Sequence, residues 1–240
     1  VNLYSVVKRD IELSGEFDIL ADSALPDGAY VSDSTAISVK AYEDKGAEAV
    51  LRVMLDESEF LSPFGIRSVS RRHADEPFVY RANGAEYRVD YTPGESVNGM
   101  FGGNSNWRGP IWFPINALLL DALREHAEGP GHDRAVEYPT GSGHEVPLDE
   151  AADDIEQRLI SLFRPGSSGR RPGTPRDHLS GELWDAHPTF AEYFDGDDGR
   201  GCGASHQTGW TALVAHLICQ RGRRLEKLAP TPSTEVSSGP

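Results

Sequence analysis

The chain is poor in cysteine and in positive charge. Its 240 residues include two cysteines, Cys202 and Cys219, so neither a disulfide framework nor a four-cysteine metal site can form, although one pairing stays open. Lysine and arginine number 23 against 38 aspartates and glutamates, a formal net charge of −15. Nucleic acids and anionic membranes require a basic partner surface. The composition therefore argues against both and favours a neutral or weakly charged ligand.

Long hydrophobic runs are also missing. No stretch of about 18 apolar residues is present that would span a bilayer. The first residues, 1–17, lack the apolar core of a signal peptide. Together with the low cysteine content, this predicts a soluble, cytoplasmic protein without a membrane partner.

Apolar periodicity predicts four helices, at 46–56, 110–127, 147–164 and 206–220, with Gly222 as the stop of the last. The side chains expected to face inward are, in order, Val50, Val53 and Met54; Ile111, Ile115, Leu118, Leu119, Ala122 and Leu123; Leu148, Ala152, Ile155, Leu159 and Leu162; and Trp210, Leu213, Val214, Leu217 and Ile218.

The remaining segments read as turns, loops and one β-hairpin. The hairpin is predicted from 78–80 to 86–91 around a turn at 82–84. Proline and glycine make 61–70 a loop or short extended piece and 166–180 a loop, while the tail from Ala229 is expected to be disordered. Long helices joined by long, aromatic-rich loops are more typical of an α-helical toroid than of a bundle.

The segment 101–116, FGGNSNWRGPIWFPIN, carries most of the functional information. It places Trp107, Arg108 and Trp112 next to the short amide of Asn106. Indole faces stack on the C–H faces of sugars, and guanidinium and amide groups bind the rim of hydroxyls. The pattern predicts a sugar-binding platform. The alternative left open by spacing alone is that both tryptophans fill the start of a buried helix.

The segment 190–210, FAEYFDGDDGRGCGASHQTGW, holds a candidate catalytic carboxylate. Glu192 has aromatic neighbours on both sides and precedes a glycine-rich stretch. A carboxylate in an aromatic pocket is one way to build a general base or acid. His206, Gln207 and Trp210 would add polar and stacking contacts. The alternative is a surface glutamate near a turn.

Three aspartates in the same segment, Asp195, Asp197 and Asp198, suggest a calcium loop. A calcium loop also needs a bidentate acid downstream at the loop spacing, and the sequence has none there. The prediction is therefore that no metal is bound.

Five separated blocks of the sequence form an ordered set. They are LSPFGIRSVS at 61–70, YRVDY at 87–91, GGNSNWRGPIWFPIN at 102–116, YPTGSG at 138–143, and EYFDG with GASHQTGWTALVA between 192 and 215. In this order, across 51–220, they resemble glycoside hydrolase family 63. That family includes mannosyl-oligosaccharide glucosidases and, in bacteria, related glucosidases and mannosylglycerate hydrolases.

The resemblance implies a mainly α-helical (α/α)6 barrel and the inverting hydrolysis of α-glucosidic or α-mannosidic bonds, with no cofactor. Inverting hydrolysis uses an acid that protonates the leaving oxygen and a base that activates water. The matching segment gives the role of base to Glu192, and the substrate is expected to be an oligosaccharide or small glycoside. The implied substrate-binding residues are Asn106, Trp107, Arg108, Gly109, Trp112, His206, Gln207 and Trp210.

The sequence departs from the family pattern on its N-terminal side. In the family, the aspartate that acts as the general acid lies well upstream of the tryptophan block. It has no counterpart here, which leaves Asp90 and Glu95 as the nearby acids that could substitute for it. Twelve helices with loops need roughly 300 residues. We therefore expect a divergent segment at 1–50, part of a catalytic domain at 51–222 and a disordered tail at 223–240, as in a fragment of a longer enzyme.

Two further outcomes stay open. A chain that lacks the acid is expected to be a non-catalytic carbohydrate-binding or structural remnant of a truncated glycosidase. An incomplete toroid exposes apolar helix faces, which predicts self-association.

Overall fold

The computed structural model describes residues 39–101, 103–128, 135–167, 169–175 and 181–228. The chain divides into two compact units, 1–51 and 52–240. Helix α1 (Val39–Met54) begins seven positions before the predicted start at Gly46. Val50 and Val53 are exposed, so the predicted inward face of this helix is wrong. The tail from Ala229 lies outside the described residues.

Three long helices form the centre of the second unit: α2 (Phe113–Glu128), α3 (Leu148–Ser161) and α6 (Leu213–Leu228), each in contact with the other two. Helix α3 matches its prediction closely. Its predicted inward residues are all buried, namely Leu148, Ala152, Ile155, Leu159 and Leu162. Burial of the four leucine and isoleucine side chains contributes on the order of 1.5 to 3 kcal/mol each to folding.

Helix α2 turns a different face to the core than predicted. Ile115, Leu118 and Ala122 are exposed, whereas the buried positions are Phe113, Asn116, Leu120 and Leu123. Ile111 is buried before the helix starts, because its backbone pairs with Arg67 and with Phe194. Apolar spacing gave no weight to Asn116, which lies on the buried face and bonds to a neighbouring segment. The Asn116 amide donates to the Ile66 carbonyl and accepts from the Ile66 N–H, at 3.0 and 2.7 Å.

The last predicted helix is two helices, α5 (Thr208–Thr211) and α6. Helix α6 runs through Gly222, which therefore does not stop it. A glycine inside a helix costs about 1 kcal/mol relative to alanine, and the good helix formers that follow offset this. Val214 and Leu217 are buried as predicted, but Trp210 and Ile218 are exposed.

A buried glutamate joins the three long helices. Glu156 on α3 has no exposed side-chain surface. Arg124 of α2 lies 3.2 Å from it and Arg221 of α6 lies 3.4 Å from it, while Arg224 of α6 is a third partner. This charge cluster lies in the helical centre of the unit.

The strands form two-stranded antiparallel ladders, which in chain order are β1 (Leu61–Ser62) with β2 (Gly65–Ile66), β3 (Phe78–Ala82) with β4 (Ala85–Val89), β5 (Ala135–Glu137) with β6 (Glu145–Pro147), and β7 (Tyr193–Phe194) with β8 (Gly201–Cys202). The predicted β3–β4 hairpin is confirmed. Its turn residues Asn83 and Gly84 have φ of 52° and 76°, as a tight primed turn requires. A one-turn helix, Glu182–Ala186 (α4), precedes β7.

The described residues thus form a mainly helical domain with small hairpins. No helix among them is long and apolar enough to cross a bilayer. Phe113 at the start of α2 lies edge-on to Phe163 and to Phe194 of β7, with ring centroids 5.9 and 5.6 Å apart. This packing fixes the start of α2 against β7 and so positions the loops on either side.

Candidate active site

The two functional segments identified in the sequence are joined by their backbones. The Ile111 N–H donates to the Phe194 carbonyl at 2.8 Å, and the Phe194 N–H donates back to Ile111 at 3.0 Å. The tryptophan-containing loop before α2 therefore lies beside the segment that carries Glu192. Sequence distance between the two segments concealed this contact, and the bridge brings them together.

An aromatic stack forms the centre of the site. Trp112 is 1 % exposed, and its ring stacks on Trp107 at 3.9 Å and on Tyr193 at 4.8 Å between centroids. Trp210 lies 5.3 Å from Trp112. Trp107 is half-buried and Trp210 is exposed, so these two rings have surface available to a ligand, whereas Trp112 supports them from within.

Asn106 is wholly buried and organises the loop. Its side-chain N–H groups donate to the carbonyls of Thr92 and Gly94 at 2.7 and 2.8 Å, and its oxygen accepts from the backbone of Arg108 at 3.1 Å. Its own carbonyl accepts from the Trp112 indole at 2.9 Å. Every polar group of the amide is thus bonded within the protein, and direct contact with a sugar would require breaking these bonds.

Arg108 is also buried, at 3 % exposure. Its Nε donates to the Asn106 side chain at 3.3 Å, while its Nη2 has no hydrogen-bond partner among the described residues. Gly109 follows with φ of 133°. A Cβ there would lie 2.5 Å from the Tyr91 ring, so close packing accounts for this glycine.

Glu192 is half-buried, and its carboxylate is held by neutral donors. Oε1 accepts from the Ser105 hydroxyl at 2.9 Å, and Oε2 accepts from the Ala204 N–H at 2.9 Å. Gly203 has φ of 71°, and a Cβ at that position would lie 2.7 Å from Oε2. Within the described ranges, no lysine, arginine or histidine forms an ion pair with Glu192.

Glu95 binds the backbone amide next to the one that binds Glu192. The Gly203 N–H, one residue before the amide that binds Glu192, lies 3.3 and 3.2 Å from the two Glu95 oxygens. The Tyr193 hydroxyl is 3.4 Å from Glu95, and 2.6 Å from the Asn104 carbonyl to which it donates. Asp90 and Glu95 were the two nearby acids that could substitute for the general acid. Glu95 reaches the site, whereas Asp90 pairs with Arg88 at 2.8 Å.

Burial and the site carboxylates affect two neighbouring groups. Burial, with the negative charges of Glu95 and Glu192 nearby, raises the pKa of Tyr193 well above its ordinary value. Burial and Glu95 raise the pKa of the Cys202 thiol to about 12. Both groups are therefore protonated and neutral near pH 7. Sequence reasoning missed Tyr193 and Ser105 as site residues, although each is adjacent to a predicted one.

The segment 206–210 borders the aromatic stack. The Gln207 N–H donates to the Phe190 carbonyl at 2.6 Å. The His206 ring is exposed and lies 5.5 Å from the Phe190 ring. The Thr211 hydroxyl donates to the Ala191 carbonyl at 2.6 Å, which attaches α5 to the residue before Glu192. These contacts place the whole segment at the edge of the site.

The three aspartates after β7 have structural partners. Asp195 pairs with Arg200 at 3.3 Å. Asp197 accepts from the Tyr91 hydroxyl at 2.8 Å and from buried Arg67 at 3.2 Å. No group of three acids, histidines or cysteines that could hold a metal occurs in the part of the chain that the structure describes.

Comparison with known proteins gives this site a family. The sequence pattern of the mannosylglycerate hydrolase MGH1-like glycoside hydrolase domain matches residues 27–211, which include both carboxylates and all four site tryptophan and tyrosine rings. The chain belongs to this glycoside hydrolase family. The resemblance to family 63 drawn from the five sequence blocks is thereby confirmed.

Relatives of this MGH1-like domain occur in yeasts. An uncharacterized protein of Saccharomyces cerevisiae is 50 % identical over 187 residues, covering 76 % of this chain and 17 % of the relative. The mannosyl-oligosaccharide glucosidase of Saccharomyces cerevisiae is 27 % identical over 211 residues, 87 % of this chain and 19 % of that protein. A probable mannosyl-oligosaccharide glucosidase of Schizosaccharomyces pombe is 26 % identical over 175 residues, 72 % of this chain and 15 % of that protein. The chain thus spans less than a fifth of the length of these relatives.

Proposed function

We propose that this chain supplies the general base and part of the sugar-binding surface of an inverting glycosidase. The bonds cleaved are α-glucosidic or α-mannosidic, in oligosaccharides or small glycosides. Residues 51–222 are proposed to form part of an (α/α)6 barrel, with the general acid contributed by residues outside this chain. Membership of the glycoside hydrolase family and the relatives named as glucosidases support the reaction class.

The observation that carries the proposal is the environment of Glu192. Its carboxylate is held in place by one hydroxyl and one backbone N–H beside an aromatic stack. A neighbouring cation would hold the Glu192 carboxylate in an ion pair. Neutral donors orient the carboxylate without tying it into an ion pair, which suits a group that takes a proton from water.

In the proposed reaction, Glu192 removes a proton from a water molecule as that water attacks the anomeric carbon. The acid on the other face of the sugar protonates the departing glycosidic oxygen. The C–O bond to the leaving group breaks as the new C–O bond forms, with inverted configuration. A carboxylate separation of roughly 6.5 to 9.5 Å leaves room for the water in such enzymes.

The other predicted residues divide into two roles. Trp107 and Trp210 have accessible ring surface and are proposed to contact the sugar, with His206 and Gln207 at the edge of the site. Asn106, Gly109 and Trp112 are proposed to shape the loop that presents those rings. The Nη2 of Arg108 has no hydrogen-bond partner in the part of the chain that the structure describes, which supports a role for this guanidinium in binding a hydroxyl.

The test is Glu192→Gln in a full-length member of the family, because turnover requires the acid. Loss of a general base lowers kcat by about 10²- to 10⁴-fold, and we expect sugar binding to persist because glutamine keeps the shape and one acceptor oxygen. The anomer released by the unaltered enzyme, followed by NMR, reports inversion.

The matched control is Glu226→Gln at an exposed position of α6, which should keep full turnover. Retained turnover in Glu192→Gln would remove Glu192 from the mechanism. For the 240-residue chain alone, sugar binding without sugar release would support the second candidate function, a non-catalytic carbohydrate-binding fragment.

A further inference from the structure

We infer that Glu95 is a specificity-determining residue of this site, whose carboxylate accepts hydrogen bonds from hydroxyl groups of the bound sugar beside Glu192. The inference rests on the proposed function, since it concerns the same sugar. Nothing in the resemblance assigns a role to Glu95. Its position in the fold carries the argument.

Two carboxylates of the site bind two consecutive backbone amides. The Gly203 N–H donates to Glu95 and the Ala204 N–H donates to Glu192. Gly203 is in the left-handed conformation. Successive N–H groups around such a residue converge on one side of the chain and bind anions. The two carboxylates are therefore presented to one side of the same loop, although Glu95 and Gly203 are 108 positions apart.

Glu95 has unused hydrogen-bonding capacity. An ionised carboxylate offers about four acceptor positions. The Gly203 N–H is shared between both oxygens at 3.2 and 3.3 Å, which is longer than the 2.9 Å bonds to Glu192. The Tyr193 hydroxyl has one proton, and its short bond to the Asn104 carbonyl uses it. Glu95 is exposed, so most of its acceptor positions face solvent.

The two adjacent oxygens of Glu95 fit a particular kind of ligand. No ion pair to Glu95 or Glu192 occurs within the described residues. Glu192 has to stay free for the water that it activates, so we assign the sugar hydroxyls to the two oxygens of Glu95, which neutral donors can bind. Vicinal hydroxyl groups of a sugar are such neutral donors, and Trp107 provides an apolar face in the same site. A carboxylate that binds particular hydroxyls discriminates between sugars, because a missing hydroxyl leaves the acceptor unpaired.

The experiment measures sugar binding by the 240-residue chain through its tryptophan fluorescence. The probes are the methyl α-glucoside, the methyl α-mannoside and the monodeoxy analogue at each ring hydroxyl. Glu95→Ala should weaken binding of the parent sugar by about 10- to 100-fold, as expected for a hydrogen bond to a charged group. Binding of the analogue that lacks the contacted hydroxyl should be the same in Glu95→Ala and in the unaltered chain.

Two further variants keep the result interpretable. Glu95→Gln keeps the side-chain length and one acceptor oxygen, so an intermediate affinity is expected even if Glu95→Ala is poorly folded. Glu86→Gln, an exposed glutamate on β4 that pairs with Arg81, is the matched control and should bind sugar normally.

Each other outcome overturns the inference. If the unaltered chain binds the sugars and Glu95→Ala and Glu95→Gln bind them equally well, the inference fails while the proposed function stands. If both variants weaken the binding of every analogue by the same factor, Glu95 shapes the loop and does not bind a hydroxyl of the sugar. If the unaltered chain binds no sugar, and calcium alone changes its fluorescence, the carboxylate pair is a cation site and the sugar-binding role proposed for this chain fails as well.

Discussion

Two regions of this domain use glutamate in opposite ways. In the helical centre, Glu156 is fully buried and is surrounded by three arginines from two other helices. At the loop site, Glu192 and Glu95 are bound by hydroxyl and amide donors and have no cationic partner among the described residues. Glu156 is fully buried, whereas Glu192 is half-buried and Glu95 is exposed, so burial and charged partners together separate the two groups.

The difference has a physical reason. A buried carboxylate must be compensated by positive charge, because desolvation of an isolated ion costs several kcal/mol. A carboxylate that takes a proton or binds hydroxyls must keep acceptor positions free, so a tight ion pair would block its function. We therefore expect changes in the Glu156 cluster to affect stability and changes at the loop site to affect the ligand.

The largest effect on stability is expected from Glu156→Ala. Removing one partner of a buried ion pair costs about 3 to 5 kcal/mol. The lower end applies here, because Asp153 lies 3.1 Å from Arg124 and remains as a partner. Urea denaturation followed by circular dichroism measures the change in the free energy of unfolding.

The exposed Glu226→Ala on α6 should leave that free energy unchanged and serves as the control. The folded fraction of Glu156→Ala should bind sugar with normal affinity. Weakened binding by a folded Glu156→Ala protein would contradict the separation of the two regions.

A smaller effect is expected from Gly203→Ala, which links stability to the site. Its φ of 71° disfavours a side chain, and the added methyl group would meet Glu192 Oε2. Conformational strain and overpacking together should cost about 2 to 3 kcal/mol. Sugar affinity should fall as well, because both carboxylates are bound to this loop.

Gly84→Ala is the matched control, since Gly84 has φ of 76° but nothing within 4 Å of the added atom. It should cost about 1 kcal/mol from strain alone, with normal sugar binding. Equal losses of stability and binding in the two variants would show that Gly203 has no special relation to Glu192.

The smallest effect concerns the two free cysteines. Cys202 is buried beneath the site, and burial together with Glu95 raises its pKa to about 12, whereas Cys219 is exposed. The thiolate is the reactive form, so a raised pKa lowers reactivity at pH 8. Iodoacetamide labelling followed by mass spectrometry should modify Cys219 and leave Cys202 intact. Rapid labelling of Cys202 in the folded protein would show that the reagent reaches the interior behind the site.

Sequence patterns predicted some elements and missed the inward face of others. Helix α3 and the β3–β4 hairpin follow from periodicity and turn chemistry. Helix α2 does not, because its buried face includes Asn116, whose amide bonds to the backbone at Ile66. Periodicity also cannot detect that Ile111 pairs with Phe194, a contact that shortens the helix at its start.

Several residues of the candidate site were predictable, but Tyr193 and Ser105 were missed, and the roles were not predictable. Trp107, Trp112 and Glu192 were identified from type and spacing, and the ladder at Ile111 brings them together. Burial separates the accessible Trp107 from the supporting Trp112, which no linear pattern shows. The position of Glu95 beside Glu192 depends on a contact between residues 108 positions apart, so the sequence suggested Glu95 but gave Asp90 equal standing.

The contact between Ser105 and Glu192, 87 positions apart, also bears on the order of folding. Closing such a loop costs chain entropy before any bond repays it, so nonlocal contacts form after local helices. We therefore expect helices and hairpins to form first and the site to assemble last. During synthesis, the aromatic loop has to wait for residues 192–204 to emerge before the site can assemble.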